Sequence, residues 1–225
     1  RDASSKFGKD HKWGIFPSMS FAWRISDESF FSPLKQYIND WKIRGGWGKT
    51  GNSGIGNYNA ISTLGALNYV LGSTSAVSAA YETNKVANSA LGWETNTDWS
   101  IATDVQFLNN RISLSVDYFY RLTHDLLYNK PLPVITGFNS YLTNIAKMRN
   151  RGFEWVLTTH NLTRRIKWTT NFNLYYYRNR VLDITSPLNG DGTYTTENRP
   201  LASLFGPVDL GAFDDWEDVK THPIF

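Results

Sequence analysis

Cysteine is absent from the 225 residues, which excludes a disulfide-stapled domain, a thiolate zinc centre, an iron–sulfur protein and a cysteine nucleophile. Charge is scarce too: Asp, Glu, Lys and Arg make up 19% and leave a net charge of +3. The basic residues are scattered, so no electrostatic footprint for nucleic acid exists. Long apolar runs are missing; no window approaches the roughly 18–20 residues that a spanning helix needs. The opening RDASSKFGKDHKW lacks the basic start, apolar core and cleavage site of a secretory leader. What the chain has instead is aromatic mass, 9 Trp, 12 Tyr and 13 Phe, in a sequence that is 41% hydrophobic. That is too much apolar surface for a disordered chain. Mean hydropathy is nevertheless −0.40, so the polarity comes mainly from uncharged Asn, Ser, Thr, Gly and Tyr.

The aromatic residues recur with a period of two, the signature of a strand whose successive side chains point to opposite faces. Met19, Phe21, Trp23 and Ile25 alternate with Ser18, Ser20, Ala22 and Arg24, and Trp41, Ile43, Gly45 and Trp47 with Lys42, Arg44, Gly46 and Gly48. Trp99, Ile101, Thr103, Val105 and Phe107 then face away from Ser100, Ala102, Asp104 and Gln106. Ile112, Leu114, Val116, Tyr118 and Tyr120 follow, then Phe153, Trp155 and Leu157, then Ile166, Trp168, Thr170, Phe172, Leu174 and Tyr176. Six strands are expected, each near the length of a tilted membrane-spanning strand. Residues 108–111 and 161–165 read as tight turns. The stretches 26–40, 51–92, 126–149 and 183 onward read as long connections.

Two architectures fit this pattern. A soluble sandwich buries the apolar face of each sheet against its mate. An outer-membrane barrel turns that face to lipid, encloses a polar lumen and sets short turns against long loops. The Trp and Tyr near strand ends (Trp13, Trp41, Trp47, Trp99, Tyr118, Tyr120, Trp168 and Tyr176) suit the aromatic girdles of a barrel. Six strands are too few to close one, and a bilayer tolerates no open sheet edge. The expectation is therefore an all-β, antiparallel up-and-down barrel segment spanning residues 1–225, a piece of something longer.

The phrases RDASSKFG, WGIFPSMSFAWRISDESF, GGWGKTGNSGIGNY, FLNNRISLSVDYFYRLTHDLLYNKPLP, NIAKMRNRGFEW and RPLASLFG, in that order, resemble the second half of the barrel of SusC/RagA-type TonB-linked outer-membrane receptors. The resemblance covers nearly the whole chain. It implies a 22-stranded barrel plugged by an N-terminal domain and energised through the TonB complex. It further implies a SusD-like surface lipoprotein as partner and oligosaccharide or peptide as cargo.

On that reading Phe21, Trp23, Trp41, Trp47, Trp99, Ile101, Leu114, Tyr118, Trp155, Trp168 and Phe172 face membrane lipid. Lys42, Arg44, Asp104, Asp117, Glu154 and Lys167 face the lumen. Aromatic rings in the connections can stack on sugar rings, and Tyr58, Tyr69, Tyr81, Phe138, Tyr141, Tyr194 and Trp216 are the candidates for cargo. The rival reading, a soluble extracellular sandwich, would bind carbohydrate through the same rings. No enzyme is expected, since neither a nucleophile elbow nor a phosphate loop nor a dinucleotide fingerprint occurs. No cofactor or metal is called for: His11, His124, His160 and His222 show no ligand spacing, and AFDDWEDVK lacks the order of a calcium loop.

Overall fold

The structure is a computed structural model, describing residues 1–71, 76–184, 187–190 and 192–207. A short ribbon of β1 (Asp2–Ala3) and β2 (Trp13–Gly14) precedes β3 (Ser18–Arg24) and β4 (Ile38–Asn52). A hairpin of β5 (Leu64–Leu71) and β6 (Ala76–Thr83) follows, then β7 (Glu94–Phe107), β8 (Ile112–Pro131), β9 (Ser140–Thr163) and β10 (Lys167–Ile184). β11 (Leu188–Gly190), β12 (Thr193–Thr195) and β13 (Ser203–Leu204) form a small sheet of their own. The main sheet holds six antiparallel strands in the order β10-β9-β8-β7-β4-β3. It is an up-and-down meander, with the β5–β6 hairpin carried on the connection between β4 and β7.

Register follows from the alternation, because slipping a strand by one residue would turn every side chain to the other face. Trp47 pairs with Trp99, Trp99 with Tyr120, Ile101 with Tyr118 and Tyr118 with Phe153. The turn at 108–111 reverses the chain through Leu108, Asn109 and Asn110, all at positive φ (52°, 57° and 61°). Asn adopts that left-handed backbone more readily than most residues. The Arg111 N–H closes the turn on the Leu108 carbonyl at 3.3 Å. Gly152 is required by close approach: a Cβ there would stand 2.3 Å from the Tyr176 carbonyl oxygen and 2.9 Å from the Phe119 ring.

Among the described residues only small apolar cores form. Phe7, Ile55, Ala60 and Leu91 pack together at the end of the sheet where the long connections gather, with Trp93, Leu127 and Leu142 against them. Ala146, Val181 and Ile184 form the second, with Leu126, Tyr128 and Ile145 alongside.

The structure departs from the sequence expectation in four places. Residues 126–131 and 140–149 extend β8 and β9 instead of lying in a connection, which shrinks that link to residues 132–139. The 26–40 connection lies at the same end as the tight turns, since the Leu108 N–H donates to the Tyr37 carbonyl at 3.1 Å. Strand parity requires this, because every odd-numbered link of a meander returns at one end. There the chain coils into two 3-10 turns, Ile25–Asp27 and Ser29–Leu34, with Phe31 buried. Trp13 belongs to the β1–β2 ribbon, not the main sheet, and Arg1 stacks over its ring at 4.2 Å. Tyr69, Tyr81, Tyr141 and Tyr194 lie on strands.

Candidate functional site

The candidate surface is the pair of faces of the main sheet. Register places Phe21, Trp23, Trp41, Trp47, Trp99, Ile101, Leu114, Tyr118, Trp155, Trp168 and Phe172 on one face. Among the described residues no second sheet covers it: Trp99, Trp168 and Phe172 are 56%, 59% and 53% exposed. A sandwich core would bury these side chains, so the soluble sandwich is not the fold. Two of its indole N–H groups are tied down. Trp41 donates from Nε1 to Thr103 Oγ1 at 2.9 Å, and Trp23 from Nε1 to Glu28 Oε1 at 2.9 Å. Phe21 lies across Gly45, its partner on β4, where a Cβ would meet the ring at 2.2 Å.

The opposite face is ionic and hydroxylated. Arg44 is the hub, donating from Nε to Asp104 Oδ2 at 2.8 Å and from Nη2 to Asp104 Oδ1 at 3.1 Å and Asp117 Oδ1 at 3.3 Å. The Lys42 ammonium lies 3.3 Å from Asp104. The Ser115 hydroxyl donates to Asp104 Oδ1 at 2.7 Å. Arg121 pairs with Asp98 higher on the same face. The sequence identifies four of these charges, Lys42, Arg44, Asp104 and Asp117, as sharing a face. Their assembly across β4, β7 and β8 into one network is a matter of register. Glu154 pairs with Asp117 across β8 and β9, while Lys167 stands apart near the β9–β10 turn.

One feature of this face escapes composition alone. Phe119 stacks on Tyr175 at 6.4 Å and 13°, and Tyr175 on Tyr177 at 5.1 Å and 30°. Gly152 between them leaves room for the rings. The odd positions of the Tyr175-Tyr176-Tyr177 run carry the signal, since period two sends them opposite to Phe172 and Leu174.

At the loop end, Asn144 acts as a clip. Its Oδ1 accepts from the Gly92 N–H at 2.9 Å, and its Nδ2 donates to the Gly92 carbonyl at 3.1 Å and the Asp125 carbonyl at 2.8 Å. This fixes the connection between β6 and β7 onto β9, across a bulge in β8 where Asp125 has φ 55°.

The candidate cargo aromatics do not converge. Tyr58 borders a cleft of about 520 Å³ with Lys6, Lys9 and Lys12. Tyr69 and Tyr81 stand exposed on the β5–β6 hairpin. Phe138 sits in the short link after β8, and Tyr141 at the start of β9. Tyr194 packs on Phe205 at 5.6 Å. Trp216 lies outside the described residues. Among the described residues no cluster of His, Asp or Glu is arranged to hold a metal ion.

Residues 1–217 match the family described as TonB dependent receptor-like, beta-barrel. The chain is 33% identical over 219 residues to TonB-dependent receptor P39 of Formosa agariphila, covering 95% of this chain and 20% of that receptor. It is 35% identical over 199 residues to TonB-dependent receptor SusC of Bacteroides thetaiotaomicron, covering 84% of this chain and 19% of SusC. Among solved structures, the RagAB peptide transporter superposes with a TM-score of 0.78 at 27% identity, over 88% of this chain and 22% of that one. The chain thus spans about a fifth of the length of the relatives it matches.

Proposed function

The chain belongs to the TonB-dependent receptor-like β-barrel family, and from that premise we propose that it forms one arc of the barrel wall of a nutrient importer in the bacterial outer membrane. The observation that carries this is the division of a single sheet layer into an exposed aromatic face and a face of ion pairs and hydroxyls. Only an environment apolar on one side and wet on the other accommodates both without a second layer. The aromatic face, from Phe21 and Trp23 to Trp168 and Phe172, meets lipid. The Arg44 network faces the lumen, where its charges stay hydrated.

Import would follow from displacement of a plug by the TonB complex, with no bond made or broken by this segment. The cargo we assign is an oligosaccharide, captured with a SusD-like surface lipoprotein at the loop end. Stacked rings such as Phe119, Tyr175 and Tyr177 offer the flat apolar surfaces that pyranose faces cover. Tyr58, Tyr69, Tyr81, Phe138, Tyr141 and Tyr194 supply further ring surface at and beyond the strand ends. A peptide cargo is the second reading, favoured by the likeness to the RagAB peptide transporter.

The test is removal of the gene from its host, followed by uptake of labelled oligosaccharides and of labelled peptides. Loss of oligosaccharide uptake alone supports the first reading and loss of peptide uptake alone the second. Unchanged uptake of both counts against an importer of either kind. Affinity isolation of the full-length receptor from outer membranes should bring down a surface lipoprotein in near-stoichiometric amount.

A further inference from the structure

The sequence carries Arg-Asn-Arg twice, at 149–151 and 178–180, and register lays the two copies side by side. Arg178 pairs with Arg151, Asn179 with Asn150 and Arg180 with Arg149. The alternation that places Trp155, Phe172 and Tyr176 on the aromatic face places Arg149, Arg151, Arg178 and Arg180 there too. Arg151, Arg178 and Arg180 are exposed and Arg149 half-buried. Among the described residues none of the four has an ion-pair or side-chain hydrogen-bond partner. Asp183, paired with Lys147 beyond the register shift after Val181, makes no ion pair with them either.

Their height on the sheet decides what they can meet. Arg178 is ten residues beyond Trp168 on β10. That is about 33 Å along a strand and about 25 Å along the membrane normal at a tilt near 40°, the full height of a barrel's apolar band. The arginines therefore stand at the upper rim of the aromatic face, at the loop end. All four line one cleft of about 90 Å³. Arg151 and Arg178 also border a hollow of about 270 Å³ whose remaining walls include Tyr118, Phe153 and Tyr176. Cationic forks above and aromatic rings below match a molecule with a phosphate at one end and hydrocarbon at the other, because guanidinium groups bind phosphate oxygens two at a time.

We propose that Arg149, Arg151, Arg178 and Arg180 form a binding site for the phosphorylated headgroup of an outer-leaflet lipid, with an acyl chain laid over Tyr118, Phe153 and Tyr176. The site rests on the reading of the aromatic face as membrane-facing. A bound phosphate would offset the mutual repulsion of four like charges gathered at the edge of the apolar band. The site lies outside the barrel and so takes no part in cargo passage.

The experiment uses the full-length receptor, delipidated in detergent, and reads the thermal midpoint on adding micelles of monophosphoryl lipid A, the same lipid with its phosphate removed, or inorganic phosphate. The phosphorylated lipid should raise the midpoint by several degrees and the other two should not. Replacing all four arginines by Gln should at least halve that rise, and replacing them by Lys should retain most of it. If the fourfold Gln variant does not fold, Arg178→Gln alone, scored by native mass spectrometry of co-purified lipid, should carry less phosphorylated lipid than the parent. An equal rise with dephosphorylated lipid or with inorganic phosphate overturns the proposal. So does an undiminished rise in a folded Gln variant, or undiminished lipid on Arg178→Gln. A Gln variant that falls into smaller assemblies while its lipid response persists shows that the arginines hold a second protein, and also overturns it. Whether the aromatic face meets lipid at all is read separately, from the stability cost of Phe172→Arg. If that substitution is costly and the lipid response does not depend on the four arginines, only the headgroup site fails.

Discussion

Phe172→Arg is the substitution that most sharply separates a lipid-facing wall from a sheet exposed to water. Phe172 pairs with Leu157, which pairs with Leu114, which pairs with Val105, forming an apolar row across β10, β9, β8 and β7. It lies four residues beyond Trp168, about 13 Å along the strand and about 10 Å up the normal, close to the middle of an apolar band about 25 Å tall. An arginine at that depth costs about 2–4 kcal/mol, whereas one at the interface costs about 0–1 kcal/mol. The folding equilibrium should therefore fall by about 30- to 700-fold for Phe172→Arg, taking tenfold per about 1.4 kcal/mol. For Trp168→Arg the charge penalty should be within about fivefold. Asn173→Arg, on the opposite face, should be nearly neutral. In water all three positions are exposed, and a charge at any of them would shift stability by only about 0.5 kcal/mol. The measurement is a urea titration of the full-length receptor folded into phosphatidylcholine vesicles, with each variant compared at its midpoint. Equal costs at Phe172 and Asn173, or a larger cost at Asn173, would refute the assignment of faces.

Gly152→Ala should destabilise by about 1–3 kcal/mol, since the new methyl meets the Tyr176 carbonyl at 2.3 Å, backbone that cannot swing aside; denaturant midpoints check it. Arg44→Met should cost about 1 kcal/mol or less, because Asp104 and Asp117 are 31% and 32% exposed and exposed pairs contribute little. The loss should shrink in about 1 M salt, where the screening length falls to about 3 Å; a salt-independent loss would mean that packing dominates. Asn144→Leu strips partners from the Gly92 N–H and carbonyl and from the Asp125 carbonyl. It should cost about 1–3 kcal/mol and speed amide exchange at Gly92, with exchange in the β7–β8 turn unchanged.

The strand pattern was legible because each of the six main strands alternates over at least part of its length, and period two survives any tertiary context that leaves one face apolar. Strand length was not. Residues 122–131 and 140–149 carry mixed polarity, since β8 and β9 run on past the aromatic belt and past a bulge at Asp125. Outside the apolar zone nothing enforces alternation, so the continued pairing is held by backbone hydrogen bonds. Tyr141 was consequently placed in a connection when it stands on β9. The side of the 26–40 connection was open to simple parity, yet its length suggested the opposite end.

The amino-acid sequence by itself determined that the chain makes long amphipathic strands, which residues share a face within each, and to which family the strands belong, because side-chain alternation is local and motif order is one-dimensional. Tertiary structure alone decided which of those residues meet. It gathered Arg44, Asp104, Asp117 and Ser115 from three strands into one network and set Phe119 over the stacked Tyr175 and Tyr177. It also brought two distant Arg-Asn-Arg triplets into register. Cross-strand neighbours are fixed by pairing register, which depends on turn geometry and on every strand between. The absence of a covering layer was decided there as well: the aromatic excess that reads equally as a buried core or a membrane band stands exposed, because no second sheet lies over it among the described residues.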